Sequence, residues 1–151
     1  MDIEKLKAKI LSLVPNAEVS DDKQHLTISV IPGKIFQLAK MLKEDADTSY
    51  DYLICLSGVD YGDSLGVVYH IESVKNRHTI VLKTKTPNRE NPQIDSVYDV
   101  WKAAEYHERE VFDLLGIKFK NHPDLRRFFM EESAGFPLRK DFVDEVNIIE
   151  K

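Results

Sequence analysis

The sequence predicts a single α+β domain: a mainly antiparallel sheet, with a mixed one left open, two helices packed on one face, a further C-terminal helix and an extended C-terminal arm. Three observations carry that reading. Apolar residues recur at the three-and-four spacing of a helix in three segments. They alternate at strand spacing in five others. Short polar links join consecutive strands, which favours antiparallel neighbours. The sheet domain is expected over residues 1–120 and the arm over 121–151.

Ile3, Leu6, Ile10, Leu13 and Val14 form one apolar stripe before Pro15, so an amphipathic helix opens the chain. Ala17 to Ser20 and Gln24 to Ile31 read as a hairpin about Asp21-Asp22, and Pro32-Gly33 ends its second strand. Ile35, Leu38, Ala39 and Leu42 mark a second helix from Lys34 to about Ala46. Tyr50 to Val59, Leu65 to Val74 and His78 to Thr86 are three strands of a meander; in the middle one Leu65, Val67, Tyr69 and Ile71 share a face. The segment PNRENP, Pro87 to Pro92, is a loop leading to the C-terminal third. Ser96 is placed to cap a helix running through Trp101 to Leu115, with Gly116 as its stop. Ile117 and Phe119 alternate in a short extended piece, Asn121-His122-Pro123 turns the chain, and periodicity fades after Asp124.

With 151 residues the chain is long enough to bury a core without disulfides or a metal, and 42% hydrophobic with 31% charged residues is ordinary for a globular domain. A formal charge of −5 argues against nucleic acid as a partner. One cysteine, Cys55, rules out a disulfide framework or a multi-cysteine cluster cradle; in a predicted strand, it reads as a small core hydrophobe. The charged N-terminus lacks the apolar run of an export signal, and no stretch approaches the length of a membrane span. No glycine-rich phosphate loop is present, and the five histidines are scattered, with no metal-binding spacing.

The stretch from Glu105 to Phe142 interleaves acids and bases with apolar residues, so its charges must be paired or meet another surface. One reading is a structural ion network of Glu108, Arg109, Glu110, Asp113, Arg126 and Arg127, in which Glu108 takes Arg126, Arg127 or a residue of a partner, and Arg109 reaches Asp113 four positions on. A remote alternative is a stand-alone acid/base enzyme using Glu108 and Glu110 near His107. A third is protein–protein recognition, in which Trp101, Tyr106, Arg126, Arg127, Phe128, Phe129, Phe136 and Arg139 supply the aromatic and arginine side chains that concentrate in interface cores.

At these residues the sequence resembles the C-type subunit family of respiratory complex I, the proton-pumping NADH:quinone oxidoreductase, and its relatives in energy-converting hydrogenases. The resemblance rests on three ordered motifs: EREVFD (Glu108 to Asp113), GIKFKNHPDLRR (Gly116 to Arg127) and GFPLRKDF (Gly135 to Phe142). Ser57 to Ile71 and Asp95 to Tyr106 extend it, so that it covers most of the chain from about Tyr50. The chain departs from the family at Tyr106, commonly Trp; at Phe128, usually a branched aliphatic; and at Ser133-Ala134, which lacks the usual aromatic. The resemblance implies a scaffold subunit of the peripheral arm, inactive by itself within an active oxidoreductase. It would hold no catalytic, cofactor or metal site, while FMN, iron–sulfur clusters and quinone belong to partner subunits. It further implies a large quinone-cavity partner of the D type, neighbouring cluster-bearing subunits, and a peripheral place on the cytoplasmic face of the bacterial inner membrane with no span of its own. The docking residues expected are His122, Pro123, Asp124, Leu125, Arg126, Arg127 and Phe128, then Phe136, Pro137, Leu138, Arg139, Lys140, Asp141 and Phe142. The end of the chain soon after Phe142 suggests a free-standing form rather than one fused to that partner. The equivalent subunit of a membrane-bound hydrogenase or related reductase is the second reading.

Overall fold

A computed structural model describes residues 2–131 and 133–143, so the part of the expected arm from 144 to 151 lies outside the described residues. The Asp2 carboxylate accepts the backbone N–H of Glu4 at 3.0 Å and of Lys5, which starts the helix α1 (Ile3–Leu13) and fixes its buried side, Leu6 and Ile10. The strands β1 (Glu18–Asp21) and β2 (Leu26–Val30) pair antiparallel. Their turn spans Asp22 to His25, one step later than the acidic pair suggests, because Asp22 N–H bonds the His25 carbonyl and its carboxylate accepts the Thr27 hydroxyl. One 3₁₀ turn (Pro32–Lys34) leads into the helix α2 (Ile35–Glu44), whose Ile35, Leu38, Ala39 and Leu42 are buried.

The next three strands, β3 (Tyr52–Asp60), β4 (Leu65–Ser73) and β5 (His78–Thr86), form an antiparallel meander. Their sheet order is β1-β2-β5-β4-β3, with β2 parallel to β5, so the sheet is mixed. The order has a simple cause: α2 carries the chain from β2 past two strand positions, and the meander then returns to fill them. Leu26, Ile28, Tyr69, Ile71, Ile80 and Leu82 line one face, and the buried stripes of the helices complete a single core there. The other face carries Thr27, His70, Val81 and Lys83 and is open.

Two expectations fail at β3 and in the approach to the last helix. The register of β3 slips between Leu53 and Cys55, so Leu53 and Leu56 both point inward while Cys55 turns to the open face, with its Sγ 3.4 Å from His70 Nδ1. Simple alternation would have put Cys55 in the core; the extra residue of the bulge reverses it. The helix α3 (Ala104–Leu115) begins eight residues after Ser96, not at it. Gln93–Asp95 is instead a short strand, β6, pairing in parallel with β7 (Lys118–Lys120). Residues between Val97 and Trp101 make a turn whose Tyr98 N–H is received by the Ser96 hydroxyl.

Gly116 ends α3 in the left-handed region at φ 77°, and a Cβ there would lie 2.7 Å from the Phe136 ring and 2.8 Å from an Arg139 nitrogen. The end of α3 and the tail are thus built against each other. Gly116→Ala should destabilise the fold by roughly 1–3 kcal/mol, the combined effect of backbone strain and overpacking. Urea unfolding followed by the fluorescence of Trp101 measures this; that residue is buried and donates its indole N–H to the Tyr50 carbonyl at 3.0 Å.

A candidate docking surface over buried ion pairs

Helix α3 is where the charged motif meets the core, because Glu108, Arg109 and Asp113 are buried beside Ala104, Val111 and Leu115. Each has a separate solution. Glu108 is fully buried, and its carboxyl accepts the Val97 N–H at 2.8 Å and stands 2.6 Å from the Ser96 hydroxyl. Burial pushes its pKa up to about 7, despite the opposing effect of those two bonds. Among the described residues no arginine reaches it. Its nearest cationic candidate is His122, whose Nε2 lies 3.9 Å away but also 3.0 Å from the Glu105 carbonyl, while its Nδ1 accepts the Asp124 N–H. The expected link between Glu108 and Arg126 or Arg127 is therefore replaced by a hydrogen-bonded acid.

Asp113 is the residue that takes an arginine. Its carboxylate receives Arg127 Nε at 2.6 Å together with the N–H groups of Phe129 and Met130. Burial by itself would raise its pKa; the Arg127 guanidinium and the two backbone donors outweigh that and hold it below the ordinary value. Arg127 also donates to the carbonyls of Asp113, Ala134 and Gly135, all within 3.0 Å. Arg139 donates to the Leu115 carbonyl at 2.7 Å and to that of Arg89 at 3.0 Å. Both guanidinium groups stand over the Phe136 ring, 4.9 and 5.0 Å from its centroid.

A second buried pair holds the end of the tail. Asp60 receives both terminal nitrogens of Arg89, at 2.6 and 2.9 Å, and the backbone N–H of Lys140 and Gly62. The guanidinium comes first among the causes that put its pKa well below the usual carboxylate range. Asp141 approaches Arg89 from outside at 3.4 Å. Sequence reasoning missed Asp60, Arg89 and Ser96, which lie in segments read as turn, loop and cap; no local signal joins positions that meet only through the fold. Their own chemistry, an acid, an arginine and a serine near glycine and proline turns, was the sole hint.

The remaining motif residues are more exposed. Arg126 is largely exposed and pairs with exposed Asp124, and Glu110 is exposed with no ion-pair partner among the described residues. Arg109 does not reach Asp113; it points to the Arg126 and Arg127 carbonyls and lies 4.9 Å from the Phe128 ring centroid. Around that ring Tyr106 and Phe129 complete an aromatic cluster, with centroids 6.3 and 4.4 Å away. Tyr106, Phe128, Phe129, Leu138, Phe142 and Val143 all stand exposed, while Leu125, Phe136, Pro137 and Arg139 are half-buried, and Pro123 is exposed in its turn. Glu108 and Glu110 share no cleft, since one is sealed beneath His122 and the other faces outward. No helix of the described residues is long and apolar enough to cross a membrane.

Comparison with known proteins gives a consistent result. The model of the family described as "Respiratory-chain NADH dehydrogenase, 30 Kd subunit" matches residues 28–146. A protein of Phocaeicola vulgatus named as the C/D subunit of NADH-quinone oxidoreductase is 48% identical over 110 residues, 72% of this chain and 21% of that protein. The C subunit of the same enzyme from Chloroherpeton thalassium is 44% identical over 113 residues, 72% of this chain and 47% of that protein. That of Roseiflexus castenholzii is 41% identical over 140 residues, 89% of this chain and 80% of that protein. The chain thus spans about a fifth and about half of the lengths of the first two. Among solved structures, a chain of the membrane-bound sulfane sulfur reductase, an archaeal respiratory membrane complex, matches with a TM-score of 0.78 and 25% identity, over 95% of this chain and 86% of that one.

Two measurements separate the buried charges from the exposed ones. Arg127→Ala leaves Asp113 buried without its cation and should cost about 3–5 kcal/mol, whereas loss of the exposed Arg126 side chain should cost roughly 0–1 kcal/mol. Similar losses in urea unfolding for both would contradict this assignment. For Glu108, the folded chain keeps its proton up to about pH 7, and the unfolded chain releases it near 4.5. The native state therefore binds the extra proton between those values, and the stabilisation it brings is complete below the lower one and lost as pH rises through the higher. Relative to Glu108→Gln, the wild type should lose on the order of 3 kcal/mol between about pH 5 and pH 8. A pH-independent difference would show that Glu108 is not held as a buried acid.

Proposed function

The chain belongs to the family of the respiratory-chain NADH dehydrogenase 30 kDa subunit, which includes the C subunits of NADH-quinone oxidoreductase, and from that membership we propose that it is a structural, non-catalytic subunit. It serves in the peripheral arm of a proton-translocating NADH-quinone oxidoreductase. NADH oxidation and electron transfer to quinone take place on FMN and iron–sulfur clusters held by its partners. The principal partner is a large subunit of the D type, with cluster-bearing subunits adjacent. This places the chain on the cytoplasmic face of the inner membrane, held there through its partners. The observation that carries the partnership is the relative from Phocaeicola vulgatus, whose name joins C and D in one protein.

The surface supports a division of labour in the tail. Arg127 and Arg139 are used internally, so the side chains available to a partner are the exposed apolar ones: Phe128 and Phe129 beside Tyr106, then Leu138 and Phe142. Exposed aromatics grouped on a rigid base are the usual material of interface hot spots. The second reading, the equivalent subunit of a membrane-bound hydrogenase or related reductase, draws on the match to the sulfane sulfur reductase chain.

Co-purification from native membranes tests both readings. A D-type subunit and an NADH-binding flavoprotein should accompany this chain; a nickel-binding subunit without the flavoprotein would favour the second reading, and tight flavin, cluster or quinone binding by the isolated chain would overturn the scaffold role. Phe129→Asp, at a side chain 66% exposed, should leave unfolding unchanged and weaken association by about 2 kcal/mol or more.

A further inference from the structure

The outer edge of β3 is long, unpaired among the described residues and bordered by a groove. β3 ends the sheet order, and it runs for nine residues. The direction of its backbone follows from the hairpin: the Tyr61 N–H bonds the Ser64 carbonyl at 2.9 Å, so Tyr61 and Ser64 are a hydrogen-bonded pair. In an antiparallel ladder such pairs alternate with pairs whose N–H and C=O groups point away from each other. Counting back along the register, Val59 and Ser57 turn their groups toward β4, while Gly58, opposite Val67, and Leu56, opposite Tyr69, turn theirs outward. Among the described residues no backbone group bonds those outward N–H and C=O groups.

Beside this edge is a groove of about 200 Å³, formed by Leu56, Ser57 and Gly58 of the strand, Glu110, Val111, Leu114 and Leu115 of α3, and Leu138 of the tail. Gly58 lets the helix approach: a Cβ there would overlap the Leu115 side chain and stand 2.9 Å from Val111. Leu56 and Gly58 are on the helix side of the sheet, so a strand hydrogen-bonded to them would direct the side chains opposite them to that same side, toward α3. Edge and groove therefore agree on one kind of ligand.

We infer that β3 receives an extended segment of a partner polypeptide as a sixth strand, with an apolar side chain seated between α3 and Leu138 and a basic residue facing Glu110. This deepens the assembly reading above and rests on it. Only a polypeptide backbone offers donors and acceptors at the spacing that Leu56 and Gly58 present, and strand addition with alternate side chains in a pocket is an established mode of peptide recognition. A second copy of the chain fits less well, because pairing β3 with β3 about a two-fold axis would set Glu110 against its own equivalent, between two chains of charge −5.

Hydrogen–deuterium exchange tests the inference on the isolated chain and on the complex purified with it. In the isolated chain the Leu56 and Gly58 amides should exchange quickly while those of Ser57 and Val59 are protected. In the complex the first two should slow by roughly tenfold or more. Glu110→Lys should reverse much of that slowing without altering the fluorescence of Trp101. If a complex forms and the two amides stay fast, strand addition is refuted while the subunit reading stands. If no partner co-purifies, both fail together. Protection already present in the isolated chain, as a monomer or a dimer, would mean that its own backbone or a second copy covers the edge, and that too overturns the proposal.

Discussion

The ion pair between Asp113 and Arg127 fixes the last third of the molecule. An acid in the last turn of a helix is in the wrong place for the helix dipole, and α3 has no basic residue in that turn. The tail supplies what the helix lacks. Arg127 neutralises the Asp113 carboxylate and bonds its carbonyl, Leu138 N–H bonds the Leu114 carbonyl, and Arg139 bonds that of Leu115. Three consecutive carbonyls at the end of α3 are satisfied by residues at least fourteen positions away. Helix and tail are accordingly one unit, although the sequence presents them as a regular element followed by an irregular one.

Two acids five residues apart on α3 show how environment decides the state of the same chemical group. Glu108 is surrounded by a hydroxyl, one backbone N–H and a ring oriented as a donor to a carbonyl, so burial dominates and the proton is retained near neutrality. Asp113 has a guanidinium and two N–H groups, and the charge is retained instead. Both carboxyls are buried, and their hydrogen bonds are made within the chain.

Much of the fold was legible because its periods are undisturbed. The alternation of Leu65, Val67, Tyr69 and Ile71 marks β4 within one residue, and the bounds expected for His78 to Thr86 coincide with β5. The illegible parts depend on tertiary placement. The parallel pairing of β2 with β5 follows from the path of α2, and three residues, Gln93–Asp95, become a strand only because Lys118–Lys120 lies beside them. Ser96 has the composition of a helix cap, yet the buried Glu108 carboxyl competes successfully for it. At the candidate site the presence of paired charge was legible in the interleaving of acids and arginines, while the choice of Arg127 over Arg126, and the role of Asp60 with Arg89, required the folded geometry.

The Phe129 and Met130 N–H bonds to Asp113 have a mechanical consequence. A load applied to the exposed aromatic cluster would not have to travel along the chain back through Leu125 and His122. It would pass across those bonds directly into α3, and from α3 to β3 where Val111 and Leu115 stand against Gly58. The aromatic cluster is thereby tied to the sheet by a route of two hydrogen bonds and one helix, much shorter than the chain that joins them.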